Sequence, residues 1–363
     1  MAFQLCNSIF KPLGMSLDEP TYPTCCTNWP FPGDDLYDML LLHDSNDGHS
    51  IPIKSFIYHH FHDYMASLLA KPRFEDSGSL EGLCAGALFV DCQGEGHLLF
   101  SLNVDFFNIE GNWQWNAMTS CGIISCACLN LLLHIQYKPE NLYLANIVPG
   151  PTKPSGDQLN PFLEPLINDL VDSWKKGVQV TQTASQRDCI TCSAIACVVC
   201  DLPAARKSAQ LAGITSHFYC SACHCGHTSS LGHTDVDSEY WQFHSKVMLQ
   251  NHGVQYRDTK SQKEWNKLFS AHGVRWSPLW CLPYWDPAQQ LVIDSMHCVL
   301  KGLAQAQFCE HLGLTTTFAT KAQSEAELWP VFSYPFCSLD SLSWSNDALE
   351  EWLCPHQKYS NPY

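Results

Sequence analysis

The chain has 363 residues, of which 45% are hydrophobic and 12% aromatic, so a mainly disordered protein is excluded and a large core can form. The formal net charge is −16 and no basic block occurs, which argues against strong phosphate binding over a broad surface. The longest apolar run, residues 121–135, is too short to cross a membrane, so no membrane partner is expected.

The first hundred residues show little regular pattern. Residues 1–50 are rich in Pro, Gly, Asp and Cys and are predicted to be an irregular N-terminal region. Residues 51–96 are predicted to be a helical lead-in, in which apolar and aromatic residues recur at helical spacing over 51–70 and a Gly-rich stretch follows. The whole chain contains 20 cysteines and its start shows no secretory signal, which favours thiols or metal binding in a reducing compartment over disulfides.

Clear strand and helix patterns begin at His97. The segment HLLFSLNVD alternates between apolar and polar residues and is predicted to be a strand that ends at Asp105. Two further strands are predicted in GIISCACLNLLLHI and NLYLANIVPG. An amphipathic helix follows, with Asn160 as its N-cap and Gly177 at its C-terminal end. The segment CITCSAIACVVC is apolar on both faces, as a central parallel strand is, and leads to Asp201 and a second helix.

The order strand, strand, strand, helix, strand, helix over residues 97–213 predicts an α/β fold with a mixed sheet, which is the order of a ribonuclease-H-like core. A parallel strand that returns through a helix lies beside its partner, so Asp105 and Asp201 are expected at neighbouring strand ends. Adjacent carboxylates repel unless a cation lies between them, and Mg²⁺ or Mn²⁺ binds such oxygen ligands. Each residue has a simpler alternative, since Asp201 could cap the next helix and Asp105 could open a turn.

Cysteine and histidine residues cluster between His217 and His233. The CxxC pair of this cluster, Cys220 and Cys223, is typical of a knuckle that presents two thiolates to one Zn²⁺. Residues 214–290 are therefore predicted to be a helical, zinc-bearing insertion in which the zinc is structural. The alternatives are a loop with incidental cysteines and histidines, or a redox pair.

A third carboxylate lies in residues 291–315, which are predicted to close the core with a short strand and a helix. Asp294 and His297 are three residues apart at the start of that helix, so both side chains can point the same way. Asp294 could complete the carboxylate site or pair with His297, and its alternative role is a helix cap. Residues 316–363 form a divergent tail without a recognisable pattern.

Several stretches of the chain resemble transposases of CACTA (En/Spm-type) DNA elements. They occur in the order found in that family and cover roughly residues 50–315, which include the predicted core and the cysteine-containing insertion. The matching stretches are FSLNVDFFN, CGIISCACLNL, YKPENLYLANIVPGP, AIACVVCDLPAARKSAQLAG, HFYCSACHC, GVRWSPLWCLPYWDP and VIDSMHCVLKGL.

The resemblance implies a ribonuclease-H-like DDE recombinase with a helical, zinc-bearing insertion between the second and third acids. Such enzymes use two Mg²⁺ ions to activate water or a 3′-hydroxyl against a phosphodiester. The residues implied are Asp105, Asp201 and Asp294 as the three acids, Glu310 as a rival for the third, and Cys220, Cys223 and His297 as zinc ligands.

The partners and location follow from the same resemblance. It implies binding to DNA at transposon ends, a possible homo-oligomer and a nuclear location, with the cytoplasm as the alternative location. The resemblance is lost after about residue 315 and no basic DNA-binding module is recognised, so a shortened or decayed copy is expected. The main alternative function is a catalytically inactive, transposon-derived protein that only binds DNA or partner chains. An unrelated metal-dependent hydrolase is the third hypothesis.

Overall fold

The computed structural model describes residues 8–16, 19–29, 34–47, 49–71, 95–108, 120–182, 187–226, 241–304 and 306–311. The chain forms two compact units, the first comprising residues 1–84 and 91–294 and the second residues 85–90 and 295–363. The described part of the second unit contains π-helical segments at Met296–Ala304 and Ala306–His311. The predicted tail, residues 316–363, lies outside the described residues. Within the described ranges, no helix has the length and apolar character needed to span a membrane.

The first unit begins with two short antiparallel hairpins and a helix. Strand β1 (Gly14–Ser16) pairs with β2 (Glu19–Thr21), and β3 (Leu42–Asp44) pairs with β4 (Ser50–Pro52). Helix α1 (Phe61–Leu69) lies in the segment where the sequence predicts a helix. The N-terminal end of α1 is fixed by the carboxylate of Asp169, which accepts hydrogen bonds from the Tyr58 hydroxyl at 2.7 Å and from the Phe61 N–H at 3.0 Å.

The remainder of the first unit consists of a mixed sheet and the helices that cover it. The strands of this sheet are β5 (Glu95–Asn108), β6 (Ser120–Cys128), β7 (Tyr143–Val148), β8 (Val178–Gln182), β9 (Arg187–Cys200) and β10 (Leu291–Ile293). The helices are α2 (Leu133–Gln136), α3 (Asn160–Lys176), α4 (Leu202–Ser208), α5 (Lys246–Asp258), α6 (Gln262–His272) and α7 (Pro287–Gln290). Short 3-10 turns lie at Pro139–Asn141, Gly156–Leu159 and Pro278–Cys281.

The strand order in this sheet is β10-β9-β5-β6-β7, and β8 pairs with the first half of β9. Strands β5, β6 and β7 are antiparallel neighbours, whereas β9 runs parallel to β5 and β10 runs parallel to β9. The predicted order of three antiparallel strands, a helix and a parallel strand beside the first is therefore observed. Because β5, β9 and β10 are parallel, their carboxyl ends lie at the same edge of the sheet.

The core of the first unit packs mainly between the sheet, α1 and α3. The alternating residues of β5 predicted to face inward, Leu98, Phe100, Leu102 and Val104, are all at most 1% exposed. Helix α3 contributes a stripe of apolar side chains at helical spacing, each of which stabilises the fold by about 1.5–3 kcal/mol through burial. The buried residues of this stripe are Phe162, Leu163, Leu166, Ile167 and Leu170.

The ends of α3 confirm one sequence prediction and correct another. Gly177 ends the helix as predicted, with a φ of 70° and its N–H donated to the Ser173 carbonyl at 3.0 Å. Asn160 is not the N-cap, because the chain is already helical in the preceding 3-10 turn, Gly156–Leu159. That turn begins with a capping box formed by Ser155 and Gln158. The Asn160 amide instead donates to the Trp276 carbonyl at 2.8 Å.

Two strand ends differ from the sequence prediction, and one strand was missed. Strand β5 does not end at Asp105 but continues to Asn108, because its last residues pair with the start of β6. Strand β6 ends at Cys128. Two residues later, the side chain of Asn130 binds the backbone of β5, where its oxygen accepts the Leu99 N–H at 2.7 Å. Strand β8 was not predicted at all, since its five residues carry only a short alternating pattern.

Candidate active site and thiol cluster

Three of the carboxylates predicted from the sequence lie at the shared edge where β5, β9 and β10 end. Asp105 is near the end of β5, and Asp201 and Asp294 follow the last residues of β9 and β10 directly. The register fixes this arrangement, since Ile293 of β10 lies beside Cys200 of β9. The sheet topology therefore brings together residues that are separated by nearly two hundred positions in the sequence.

The buried residue Cys200, the last of β9, lies at this edge of the sheet and is hydrogen-bonded to both neighbouring segments. Its thiol accepts the Val104 N–H at 3.2 Å, and the Cys200 carbonyl accepts the Asp294 N–H at 2.9 Å. Burial is the main cause that raises the pKa of Cys200 to about 12, and the negative charges of Asp201, Asp105 and Asp294 raise it further. All three carboxylates thus act electrostatically on the same buried atom.

Two of the three carboxylates make local hydrogen bonds to the backbone. Asp201 is the N-cap of α4, and its Oδ1 accepts the Ala204 N–H at 2.7 Å, so the capping role considered from the sequence is observed. The exposed Asp105 accepts the Phe106 N–H at 2.7 Å through its own Oδ1. A carboxylate has a second oxygen, so these bonds leave room for a further ligand.

The donor chemistry at this edge suits a hard divalent cation, because carboxylate oxygens are the preferred ligands of Mg²⁺ and Mn²⁺. Within the described ranges, however, no group of three or more His, Cys, Asp or Glu side chains is arranged to hold a metal ion. The three aspartates are neighbours at one sheet edge without being drawn together as a set of ligands.

The thiols of Cys220 and Cys223 lie next to each other after α4. Their sulfur atoms are 3.3 Å apart, and the Cys223 N–H points at the Cys220 sulfur at 3.4 Å. Burial raises the pKa of Cys223 to about 11, and the hydrogen bond with Cys220 contributes in the same direction. The nearby Cys225 thiol is hydrogen-bonded to the Tyr219 hydroxyl at 2.8 Å.

A histidine that the sequence analysis did not single out, His244, lies beside these thiols. A β-bridge pairs Cys223 with Phe243, and the His244 N–H donates to the Ala222 carbonyl at 2.9 Å. The rings of His224 and His244 meet edge-on with centroids 4.4 Å apart. Burial lowers the pKa of His244 and the His224 ring lowers it further, while a hydrogen bond to the Cys220 backbone opposes both.

The structure does not test the predicted zinc ligand His297. It belongs to the second compact unit and its side chain lies outside the described atoms, as does that of Glu310. His227 and His233, which the sequence places in the same cluster, are also outside the described residues. The signal for His244 was weak in the sequence, because it follows Cys223 at a distance of 21 residues without a motif of its own.

Arg206 connects the thiol cluster to the helix that Asp201 caps. Its side chain is only 2% exposed and donates to the backbone carbonyls of Ala212, Phe218 and Tyr219. Burial lowers the pKa of Arg206, and the neighbouring Cys220 thiol raises it. One guanidinium on α4 thereby fixes the segment that leads into the CxxC pair.

Comparison with protein families gives a match over the central part of the chain. The model of the transposase family tnp2 matches residues 94–270, a range that contains Asp105, Asp201, Cys220 and Cys223 and ends before Asp294. No curated protein matches the chain. The match covers slightly less than half of the 363 residues. Residues 94–270 are thus similar to transposases of the tnp2 family, which supports a transposase-family domain in this part of the chain.

Proposed function

We propose that this chain contains a DDE/D transposase domain of the CACTA (En/Spm) type that cleaves and joins DNA strands in a metal-dependent reaction. The observation that carries this proposal is that Asp105, Asp201 and Asp294 lie at one edge of the sheet, at or directly after the ends of three neighbouring parallel strands. The match to the tnp2 transposase family over residues 94–270 supports DNA as the substrate. Transposon ends as the bound sequence, a homo-oligomer and a nuclear location are part of the same proposal.

The strand order supports a ribonuclease-H-like core. Three antiparallel strands, β5, β6 and β7, are followed by α3 and by β9 parallel to β5. This order places the residue after β9 beside the end of β5, where the first two proposed acids lie. A core of this kind presents its acids at the carboxyl ends of parallel strands, where loops leave space for a DNA backbone.

The three aspartates would serve as oxygen ligands of Mg²⁺ or Mn²⁺. When bound, the metal supplies Lewis-acid activation of a phosphodiester and of the attacking water or 3′-hydroxyl. Asp201 can keep its Oδ1 on the α4 backbone and use Oδ2 as a ligand, so the cap would orient the carboxylate. The buried, neutral Cys200 thiol adds no charge to the site.

Calorimetric titration with Mn²⁺ tests the carboxylate site. The wild-type chain is expected to bind Mn²⁺, and the Asp105→Asn/Asp201→Asn double variant is expected to lose that binding, because both proposed ligands become neutral amides. The matched control is Asp169→Asn, which removes a carboxylate from the α1–α3 contact and is expected to leave Mn²⁺ binding unchanged. Equal Mn²⁺ binding by the wild type and the double variant would contradict the proposal.

The second candidate function is an inactive, transposon-derived protein that binds DNA or partner chains. It is favoured by the hydrogen bonds that already engage Asp105 and Asp201, and by the lack of a group of three metal ligands among the described residues. Under this alternative the protein binds DNA but neither binds Mn²⁺ at the aspartates nor nicks DNA. An unrelated hydrolase would instead cleave small phosphoesters without preferring DNA.

We propose that the thiol cluster holds a structural Zn²⁺ ion through Cys220 and Cys223. The 3.3 Å separation of the two sulfur atoms supports a shared ligand role, since two thiolates on one zinc ion lie close together. His244 is the candidate for a third ligand, because it hydrogen-bonds to the backbone of Cys220 and lies beside Cys223. The deprotonated thiols that zinc requires would be stabilised by the Arg206 guanidinium nearby.

Zinc content measured by mass spectrometry tests this second metal site. Chain purified with zinc is expected to retain about one ion per molecule, and Cys220→Ser/Cys223→Ser is expected to retain none. Cys281→Ser is the control, because Cys281 is an exposed cysteine in the 3-10 turn Pro278–Cys281. Retention of zinc by the double variant, or its loss in the control alone, would contradict this assignment.

A further inference from the structure

Two lysines from different segments meet over one aromatic ring beside the candidate active site. The Nζ atom of Lys207, on α4, is 5.1 Å from the centroid of the Phe106 ring, and that of Lys153 is 5.9 Å away. Phe106 directly follows Asp105 in β5, and Lys207 lies six residues after Asp201. The two lysines therefore flank the ends of the elements that carry the first two proposed acids.

The positions of the ring and of both lysines are fixed by the surrounding backbone. Phe106 packs on Gly122 of β6, where an added Cβ would lie 2.5 Å from the ring. The segment that carries Lys153 is held to the start of β6, because the Ser120 N–H donates to the Pro151 carbonyl at 2.7 Å. Gln210, just after α4, donates to the Gly156 carbonyl at 3.0 Å and ties that same segment to α4.

The ion pairs found among the described residues do not include Lys153 or Lys207. The chain as a whole carries a net charge of −16. Burial lowers the pKa of Lys207, and the neighbouring charge of Lys153 lowers it further. Two neighbouring ammonium groups, one of them half-buried and neither in an ion pair within the described residues, are an arrangement that a bound anion would stabilise.

We infer that Lys153 and Lys207 form a binding site for phosphate groups of a DNA backbone next to the scissile position. This inference rests on the proposed function, which supplies DNA as the substrate. Phe106 follows Asp105 directly in β5, so a phosphate bound by the two lysines would lie close to the strand segment that carries the Asp105 carboxylate. Six helical residues separate Asp201 from Lys207, a distance of about 9 Å, which corresponds to two or three nucleotides along one strand.

The inference is tested with the full chain and two anionic probes, inorganic pyrophosphate and a labelled DNA duplex, both in the absence of divalent metal. Pyrophosphate is expected to raise the melting temperature of the wild type, and Lys153→Gln/Lys207→Gln is expected to lose that increase. The double variant should also bind DNA more weakly, with a slope of log K against log salt smaller by about two, since each lysine accounts for about one released counterion.

Lys138→Gln is the matched control for the removal of an exposed positive charge. Lys138 is exposed and lies in the connection between β6 and β7, at the end of the sheet opposite to Asn108. It should behave as the wild type with both probes. DNA and pyrophosphate responses that are equal in the wild type and the double variant would overturn the inference while leaving the proposed function intact. Lysine-dependent pyrophosphate stabilisation without any DNA binding would support an anion site and contradict the proposed function.

Discussion

Under the proposed function, replacement of Asp201 by Asn is expected to reduce Mg²⁺-dependent nicking of DNA by about 10³-fold or more, because a metal ligand would contribute several kcal/mol of transition-state stabilisation. The same variant should keep its free energy of unfolding within about 0.5 kcal/mol of the wild type, since Asn is as good an N-cap as Asp. Asn can accept the Ala204 N–H that Asp201 now accepts at 2.7 Å. Nicking rates and chemical denaturation measure the two effects separately.

Asp201→Ala completes the comparison. It removes both the carboxylate and the cap, so it should lose nicking activity to the same extent and also cost about 1 kcal/mol of stability. Full nicking activity in Asp201→Asn, together with the stability loss in Asp201→Ala, would mean that Asp201 is a helix cap alone. The inactive, DNA-binding alternative would then be preferred.

The sequence was sufficient to predict the order of β5, β6, β7, α3 and β9, because each of these elements carries a recognisable hydrophobic pattern. The alternation of apolar and polar residues in β5 and the apolar stripe of α3 can be recognised in the sequence without knowledge of tertiary contacts. The rule that a strand reached through a crossover helix lies parallel and adjacent then placed β9 beside β5. This rule and the strand patterns are enough to predict that Asp105 and Asp201 lie at one edge of the sheet.

The features that the sequence did not predict depend on contacts between distant segments. Strand β6 ends early because the Asn130 amide binds the β5 backbone more than thirty residues away, which no local propensity indicates. His244 meets Cys220 and Cys223 only because a β-bridge joins Cys223 to Phe243. The lysine pair over Phe106 joins three segments that are far apart in the sequence. Such contacts form when distant segments pack together, and the spacing of residues in the sequence does not indicate them.

Replacement of Arg206 by Met is expected to destabilise the protein by about 3–5 kcal/mol, because three buried or half-buried carbonyls lose a charged donor at once. Met keeps much of the side-chain volume, so the effect reports on hydrogen bonding more than on packing. The carbonyls of Ala212, Phe218 and Tyr219 all accept from this guanidinium, which is 2% exposed. Chemical denaturation of the purified chain measures the loss.

Arg257→Met provides the comparison at an exposed site. Arg257 pairs with the neighbouring Asp258 at 2.8 Å and lies over the Trp276 ring, so its replacement should cost at most about 1 kcal/mol. Equal losses in the two variants would contradict the role assigned to Arg206.

Arg206→Lys separates the charge of Arg206 from its geometry. Lysine keeps the positive charge near Cys220 but cannot donate from a rigid fork to three carbonyls, so an intermediate loss of stability is expected. If the charge near the thiols is what matters for zinc, Arg206→Lys should retain the metal and Arg206→Met should bind it more weakly. If both variants keep zinc equally, the guanidinium acts only by holding the backbone.

Since α4 carries Arg206 and is capped by Asp201, a loss of nicking in Arg206→Met with zinc retained would mean that this helix must be held in place for Asp201 to act.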